Sequence, residues 1–349
     1  MDVPEDVSRL PGGAEIRLLQ TDRPASVAAS AEGSRSLGDM WRMSRGMSAL
    51  RADVLLFPTI YSFVPTFNSA KKIVMIHDVI AETYPKLTLP RTTARLFWKL
   101  KVALGRMQAD AIVTVSEFSR RGIVEHFGIA PERVFVVGEA SDPVFRVLPE
   151  AKPTPLLCSL GIDPARRMIV YVGGFGPHKN LEALVDAVAR LAVRPEFRDL
   201  RLVMVGEYKK EVFYSHYSAI AGQVSRLGIA DKVIFTGYLP DEELVVLLNL
   251  STLLALPSLM EGFGLPAVEA AACGRPVIAT TQSPLPDLLQ GAGIFINPHA
   301  GELESALETI LASPDLRRQM SKAAVGAAQA LTWDAAARQM MSVIHQVAG

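Results

Sequence analysis

Ser258-Leu259-Met260-Glu261-Gly262-Phe263-Gly264-Leu265-Pro266-Ala267-Val268-Glu269 follows an apolar run, Leu253 to Leu256, and leads into an alanine-rich stretch of helical spacing. That order predicts a buried strand, a glycine loop, and a helix with proline in its first turn. Such a junction points backbone N–H groups out of a helix N-terminus, which favours an anion. A carboxylate on each side of the loop, Glu261 and Glu269, suits a ligand that carries hydroxyls as well as phosphates. A nucleotide sugar is such a ligand.

Working outward, strand-length apolar runs alternate with amphipathic stretches along most of the chain. The expected strands are 54–58, 73–76, 111–115, 134–137, 169–172, 202–205, 233–236, 253–256 and 277–279. Their near-continuous Val/Ile/Leu content predicts parallel strands buried on both faces. Helices are expected over 181–191 and 266–273 among others, giving a doubly wound α/β fold. Three prolines in the polar stretch Leu148-Pro149-Glu150-Ala151-Lys152-Pro153-Thr154-Pro155 mark a domain boundary. The chain of 349 residues accommodates two domains.

Thirty-six basic and 36 acidic residues balance to a formal net charge of zero, which argues against nucleic-acid binding through bulk charge. Two cysteines, Cys158 and Cys273, stand among apolar neighbours and read as buried thiols. The six histidines lack metal-ligand spacing, so no metal site is expected. With no apolar stretch of membrane-span length and no leader-like N-terminus, a cytoplasmic location is expected.

Other strand ends carry polar groups where open α/β sheets bind ligands. In Tyr171-Val172-Gly173-Gly174-Phe175-Gly176-Pro177-His178-Lys179-Asn180, glycines allow close backbone approach, and Lys179 at a helix start suits a diphosphate. The loop lacks the third glycine of a dinucleotide fingerprint, because Lys179 stands there. His77-Asp78 end the strand beginning near Lys72. Ser116 in Thr114-Val115-Ser116-Glu117-Phe118-Ser119 is placed to cap a helix. Residues 91–106 combine basic groups with Leu96, Phe97, Trp98, Leu100, Val102 and Leu104. Either a core-packed helix with a charged outer face or a peripheral contact with an anionic membrane would give this pattern.

The motif Pro257-Ser258-x-x-Glu261-Gly262-Phe263-Gly264-Leu265-Pro266-x-x-Glu269-Ala270, continued by Cys273-Gly274-Arg275-Pro276-Val277, resembles the signature of the retaining GT-B glycosyltransferases of family 4, also called group 1. Val74-x-Ile76-His77-Asp78 with Tyr84-Pro85 resembles its mannosyltransferase-like branch. The resemblance implies two Rossmann-like domains facing a cleft. Residues 1–152 would form the acceptor-side domain, 153–330 the donor domain, and 331–349 a helix returning to the first domain. It implies metal-independent transfer of a hexose, with mannose suggested by the His77-Asp78 pattern, from a nucleoside diphosphate sugar to a glycan or lipid-linked acceptor.

By that resemblance, Glu261 contacts the donor sugar and Glu269 the ribose hydroxyls. Lys179 and the amides of Gly262, Phe263, Gly264 and Leu265 would stabilise the leaving diphosphate. His77 contacts the sugar, with Asp78 and Ser116 bordering the cleft. Gly173, Gly174 and Gly206 line the cleft wall, and Gly237, Tyr238 and Leu239 border the base. Many relatives carry arginine where this chain has Gly174, with His178 nearby as a substitute cation. At the N-terminus, Met1 to Val7 are polar and Ala14 to Leu19 match the relatives' second strand, so the first βα unit is expected to be missing. That expectation and the absent arginine keep open a catalytically weak or inactive homologue that binds nucleotide sugar or a partner, and the shared architecture keeps open a nucleotide-sugar epimerase.

Overall fold

A computed structural model describes Glu15, Leu19 and residues 37–208 and 214–349. Residues 1–7 lie outside the described residues, as does the strand expected over 14–19 apart from Glu15 and Leu19. The described chain forms two wholly parallel sheets. The first has order β1 (Val54–Phe57), β2 (Lys71–Met75), β3 (Ala111–Thr114), β4 (Val134–Val136). The second comprises β5 (Met168–Val172), β6 (Arg201–Val205), β7 (Val233–Gly237), β8 (Leu253–Leu256), β9 (Val277–Thr280) and β10 (Gly293–Ile296). Its order is β10-β9-β8-β5-β6-β7.

In the second sheet β5 is the pivot. It pairs with β6 on one side and with β8 on the other, Ile169 opposite Leu253 and Val170 opposite Leu254. The chain therefore winds first one way and then the other, and the loops after β5 and β8 diverge at a topological switch point. Helices cover both faces, so the inner strands are buried: Ile169, Val170, Leu253, Leu254, Val277 and Ile278 are all fully inaccessible.

The first sheet is also covered on both sides, and the two-residue strand period sorts its side chains. Val74 and Ile112 face a core with Val102 and Ile123, which come from helices Thr92–Gln108 and Glu117–Phe127. Ile73, Ala111 and Val113 face the opposite way, onto Ala336 and Val343 of the last helix, Trp333–Ala348. The C-terminus thus crosses back from the second domain to roof the first sheet. Gln339 Oε1 of this helix accepts the Gly138 amide at 3.0 Å. The proline-rich stretch carries no regular structure from 148 to 154, and Asn249 of the second domain holds its start through Leu148 N and Arg146 O.

The structure corrects two expectations. Cys158 is exposed on the short helix Pro155–Ser159, whereas Cys273 is buried. The helical turn turns Cys158 outward while Leu157 takes the core position. The edge strand β10 was not among the expected strands, because a four-residue, half-buried run after Gly291-Ala292-Gly293 has little apolar signal.

Ile73 is wholly buried between sheet and final helix. Ile73→Ala is expected to destabilise the chain by about 2–5 kcal/mol, seen as a lowered urea midpoint.

Candidate functional site at the switch point

The loops after β5 and β8 are joined by an ion pair. Lys179 closes a 3-10 turn, Pro177–Lys179, and its Nζ lies 2.7 Å from Glu261 Oε1. The lysine side chain is 20% exposed and the glutamate 10%. Ser258, fully buried, donates its hydroxyl to the same carboxylate oxygen at 2.6 Å. Backbone bonds fix both loops: Leu259 N donates to His178 O at 2.8 Å, and Glu261 N to Gln282 O at 3.0 Å. Asn180 follows with φ 56°, a left-handed conformation that among non-glycine residues suits asparagine, and its amide donates to Pro257 O at 3.2 Å. Two nearly dry charges persist here because each carries an opposite partner and additional hydrogen bonds.

The glycines of the cleft wall are required by approach distance. A Cβ on Gly206 would lie 2.0 Å from the Gly173 carbonyl oxygen, so the ends of β5 and β6 touch backbone to backbone. Gly173 likewise leaves room for the Tyr171 hydroxyl, which donates to Gly174 O at 2.5 Å. Gly174 itself is exposed, and a side chain there would meet open space. At the far wall, Tyr238 is 69% exposed while Leu239 is buried, and Gly237 adjoins the ring of Tyr208. Tyr208 stacks on Tyr217 with centroids 4.2 Å apart.

The helix Leu265–Ala272 starts at Gly264, with Phe263 buried beneath it. Glu269 lies on this helix, half-buried, and burial pushes its carboxyl up to about 7, with Asp241 and Asp142 adding repulsion.

The first domain supplies the opposite wall from the carboxyl ends of β2 and β3. Burial lowers the pKa of His77, which keeps the ring neutral at neutral pH. Asp78 accepts the Ile80 amide at 2.8 Å, at the start of the turn Ile80–Thr83. Burial raises its pKa, and Glu261 adds to that while Lys179 opposes it. A Cβ on Gly262 would lie 2.8 Å from Asp78 Cβ, so Asp78 packs against the residue that follows Glu261. Ser116 caps the helix Glu117–Phe127 by accepting Ser119 N at 3.0 Å, and its hydroxyl also donates to Gly262 O at 2.7 Å. The capping and cleft roles therefore coexist in one side chain.

The structure thus brings Glu261, Lys179, Asp78, Gly262 and Ser116 into contact or electrostatic reach of one another. It places Gly173, Gly206 and Gly237 along adjoining strand ends. His178 does not serve as a second cation. It is half-buried, and burial beside Lys179 pushes its pKa down to about 4, so it is neutral at neutral pH. Sequence reasoning passed over Ser258, Ser119 and Glu139. The first two stand three residues from Glu261 and Ser116, a spacing that was visible. Glu139, raised by burial and by Asp78, carries no such signal.

Two parallel α/β domains meeting at the carboxyl ends of their strands, with this loop-to-loop ion pair, define a GT-B glycosyltransferase architecture. Residues 158–326 match the family of glycosyl transferases group 1, and residues 8–143 match glycosyltransferase family 4. The chain belongs to this family. It is 28% identical over 273 residues to the serotype-specific mannosyltransferase WbdA of Escherichia coli, covering 77% of this chain and 33% of that protein. It is 32% identical to the D-inositol 3-phosphate glycosyltransferase of Corynebacterium diphtheriae, covering 69% of this chain and 57% of that one. The chain therefore spans about a third and somewhat over half of these relatives' lengths. The crystal structure of Anabaena HepE in complex with UDP and glucose shares the fold, with TM-score 0.71, 19% identity, and 88% and 82% of the two chains covered.

Lys179→Met would leave Glu261 buried with Ser258 as its remaining polar partner here. A loss of about 1–3 kcal/mol in stability is expected, measured by chemical denaturation. Lys179→Met/Glu261→Gln should recover part of it, because the uncompensated charge is then gone.

Proposed function

We propose that the chain transfers a hexosyl group from a nucleoside diphosphate sugar to a hydroxyl of a glycan or lipid-linked acceptor, with retention at the anomeric carbon. The observation that carries this reading is the Lys179–Glu261 pair at the switch point, one loop away from Glu269. In the reaction the bond from the anomeric carbon to the diphosphate breaks and the diphosphate leaves with the bonding electrons. The acceptor oxygen bonds to that carbon, and its proton passes to the departing diphosphate. The developing negative charge is met by Lys179 and by the amides of Gly262 to Leu265 at the positive end of the helix. Glu261 accepts donor-sugar hydroxyls, and Glu269 accepts the vicinal ribose hydroxyls.

Neutral His77 donates to the sugar from the facing domain. The nucleobase lies along Gly237 to Leu239, and no metal is needed to offset the leaving charge. Mannose as the transferred sugar is supported by the His77-Asp78 pattern and by the mannosyltransferase named among the relatives. A nucleotide-sugar donor is supported by the UDP named in the HepE complex.

The test is transfer and hydrolysis with a panel of nucleotide sugars, comparing wild type with Glu269→Ala and Glu269→Gln. Equal turnover in all three would sink the ribose role. Conversion of the donor sugar with no acceptor present would instead identify an epimerase. A pH dependence follows. Because the carboxyl is pushed up to about 7 from an ordinary 4.5, it is largely protonated below neutrality and binds ribose poorly there. Donor affinity should rise as pH increases through about 7 in wild type and stay flat in Glu269→Gln. The stability contribution runs the other way. The raised carboxyl favours the fold most fully below about 4.5, and this is lost as pH rises through about 7.

A peripheral membrane contact belongs to the same proposal. Val102 and Gly105 of the helix Thr92–Gln108 face the core, yet Leu96, Leu100 and Met107 are 70%, 58% and 79% exposed on the other side. Those three share a helical face, and Lys99 and Lys101 flank it. Phe67, 81% exposed, adjoins the end of this face through the Thr66 N to Gln108 Oε1 bond. An apolar stripe with cationic margins suits an anionic bilayer. Cosedimentation with vesicles containing anionic lipid should be strong and salt-sensitive, and Leu96→Asp/Leu100→Asp should reduce it at least tenfold. Binding unaffected by that change would remove this surface from the proposal.

A further inference from the structure

The Gly262 carbonyl oxygen accepts two hydroxyls from the other domain, Ser116 Oγ at 2.7 Å and Ser119 Oγ at 3.1 Å. Both serines are buried, 5% and 2% exposed. The remaining side of Gly262 is pressed against the loop after β2. A Cβ there would lie 2.8 Å from Asp78 Cβ and 3.1 Å from the His77 carbonyl oxygen. Two hydroxyls match the two lone pairs of a carbonyl. The serines belong to the first sheet's β3–helix junction and the carbonyl to the second sheet's donor loop, so separating the domains breaks both bonds. Gly262 directly follows Glu261, whose carboxylate is already held by Lys179 and Ser258.

We infer that Ser116 and Ser119 are positioning residues that latch the cleft shut and, by fixing the Gly262 carbonyl, hold the Glu261 carboxylate against the donor sugar. The effect on turnover rests on the transfer reading above; the latch itself rests on the contacts. Two hydroxyl-to-carbonyl bonds suit a device that must also open, since each shifts a closed-to-open equilibrium several-fold without locking it. The Ser116 hydroxyl accepts from its own helix and donates across the cleft, so the helix cap also sets the orientation of the latch.

The test is the interdomain distance distribution of the full chain by double electron–electron resonance. One label goes on the exposed native Cys158 and the other on Glu125→Cys in the helix Glu117–Phe127. Ser119→Ala removes a latch hydroxyl and leaves the cap acceptor. Ser116→Asp keeps a capping acceptor and removes the donor, while Ser116→Thr keeps both. Relative to wild type, the closed-to-open ratio should fall about fivefold in Ser119→Ala and further in Ser116→Asp. It should hold in Ser116→Thr. Gly262→Ala should open the cleft by steric conflict with Asp78. The kcat/KM for the nucleotide sugar should fall in step. Unchanged distributions in folded Ser119→Ala and Ser116→Asp would overturn the latch. A shifted distribution in a chain that turns over no donor would leave the latch standing and overturn the transfer reading instead.

Discussion

The Lys179–Glu261 ion pair is the interaction on which the site is built. It spans the gap that opens where β5 and β8, adjacent in the sheet, send their chains in opposite directions. A switch point produces a crevice but does not by itself order the two loops that border it. The charged pair does, because each partner is mostly withdrawn from water and neither is stable there without the other. Ser258 and the backbone bonds from Leu259 and Glu261 make the arrangement rigid. A rigid Glu261 in turn fixes Gly262, and through Gly262 the second domain meets the serines of the first.

Burial then decides which other groups near the pair keep their charge. His77 and His178 are driven towards the neutral form, and the carboxyls of Asp78 and Glu139 are pushed upward. The two histidines add hydrogen-bonding capacity without positive charge. Lys179 stays beside the glutamate that a sugar hydroxyl would approach. On the proposed transfer reading, a diphosphate arriving here would share the lysine with Glu261, whose carboxylate has lone pairs left to accept a sugar hydroxyl. Donor binding and sugar orientation would then be coupled through a single ammonium group.

Much of this was legible before any coordinates. The apolar runs located nine of the ten described strands, because a strand buried on both faces leaves an unbroken signal. The strand–glycine–proline–helix order placed Glu261 in a loop and Glu269 on a helix. What could not be read depends on contacts between distant segments. The edge strand β10 is recognisable mainly by its register with β9, Gly293 opposite Val277. The exposure of Cys158 depends on how one short helix turns. The neutrality of His178 depends on the packing around it, since an isolated His-Lys dipeptide looks cationic. The second role of Ser116 depends on a carbonyl 146 residues away, whereas its capping role is local and was read directly.

Gly174 sharpens what the donor half can do. The resemblance to the family leads one to look for arginine there, and packing does not forbid it. The position is exposed, a side chain would meet open space, and Tyr171 holds its carbonyl in place. Glycine at 174 is therefore not dictated by the fold in the way that Gly206 is, where a Cβ would fall 2.0 Å from a carbonyl oxygen. With His178 neutral, Lys179 and the helix that begins at Leu265 would be the sources of positive field for a diphosphate among the described residues of the proposed site. Partial charges at a helix end act well only on a ligand held close and shielded from solvent. On the proposed reading, the helix end would act best in a closed cleft, which would tie donor binding to the contacts made at Gly262.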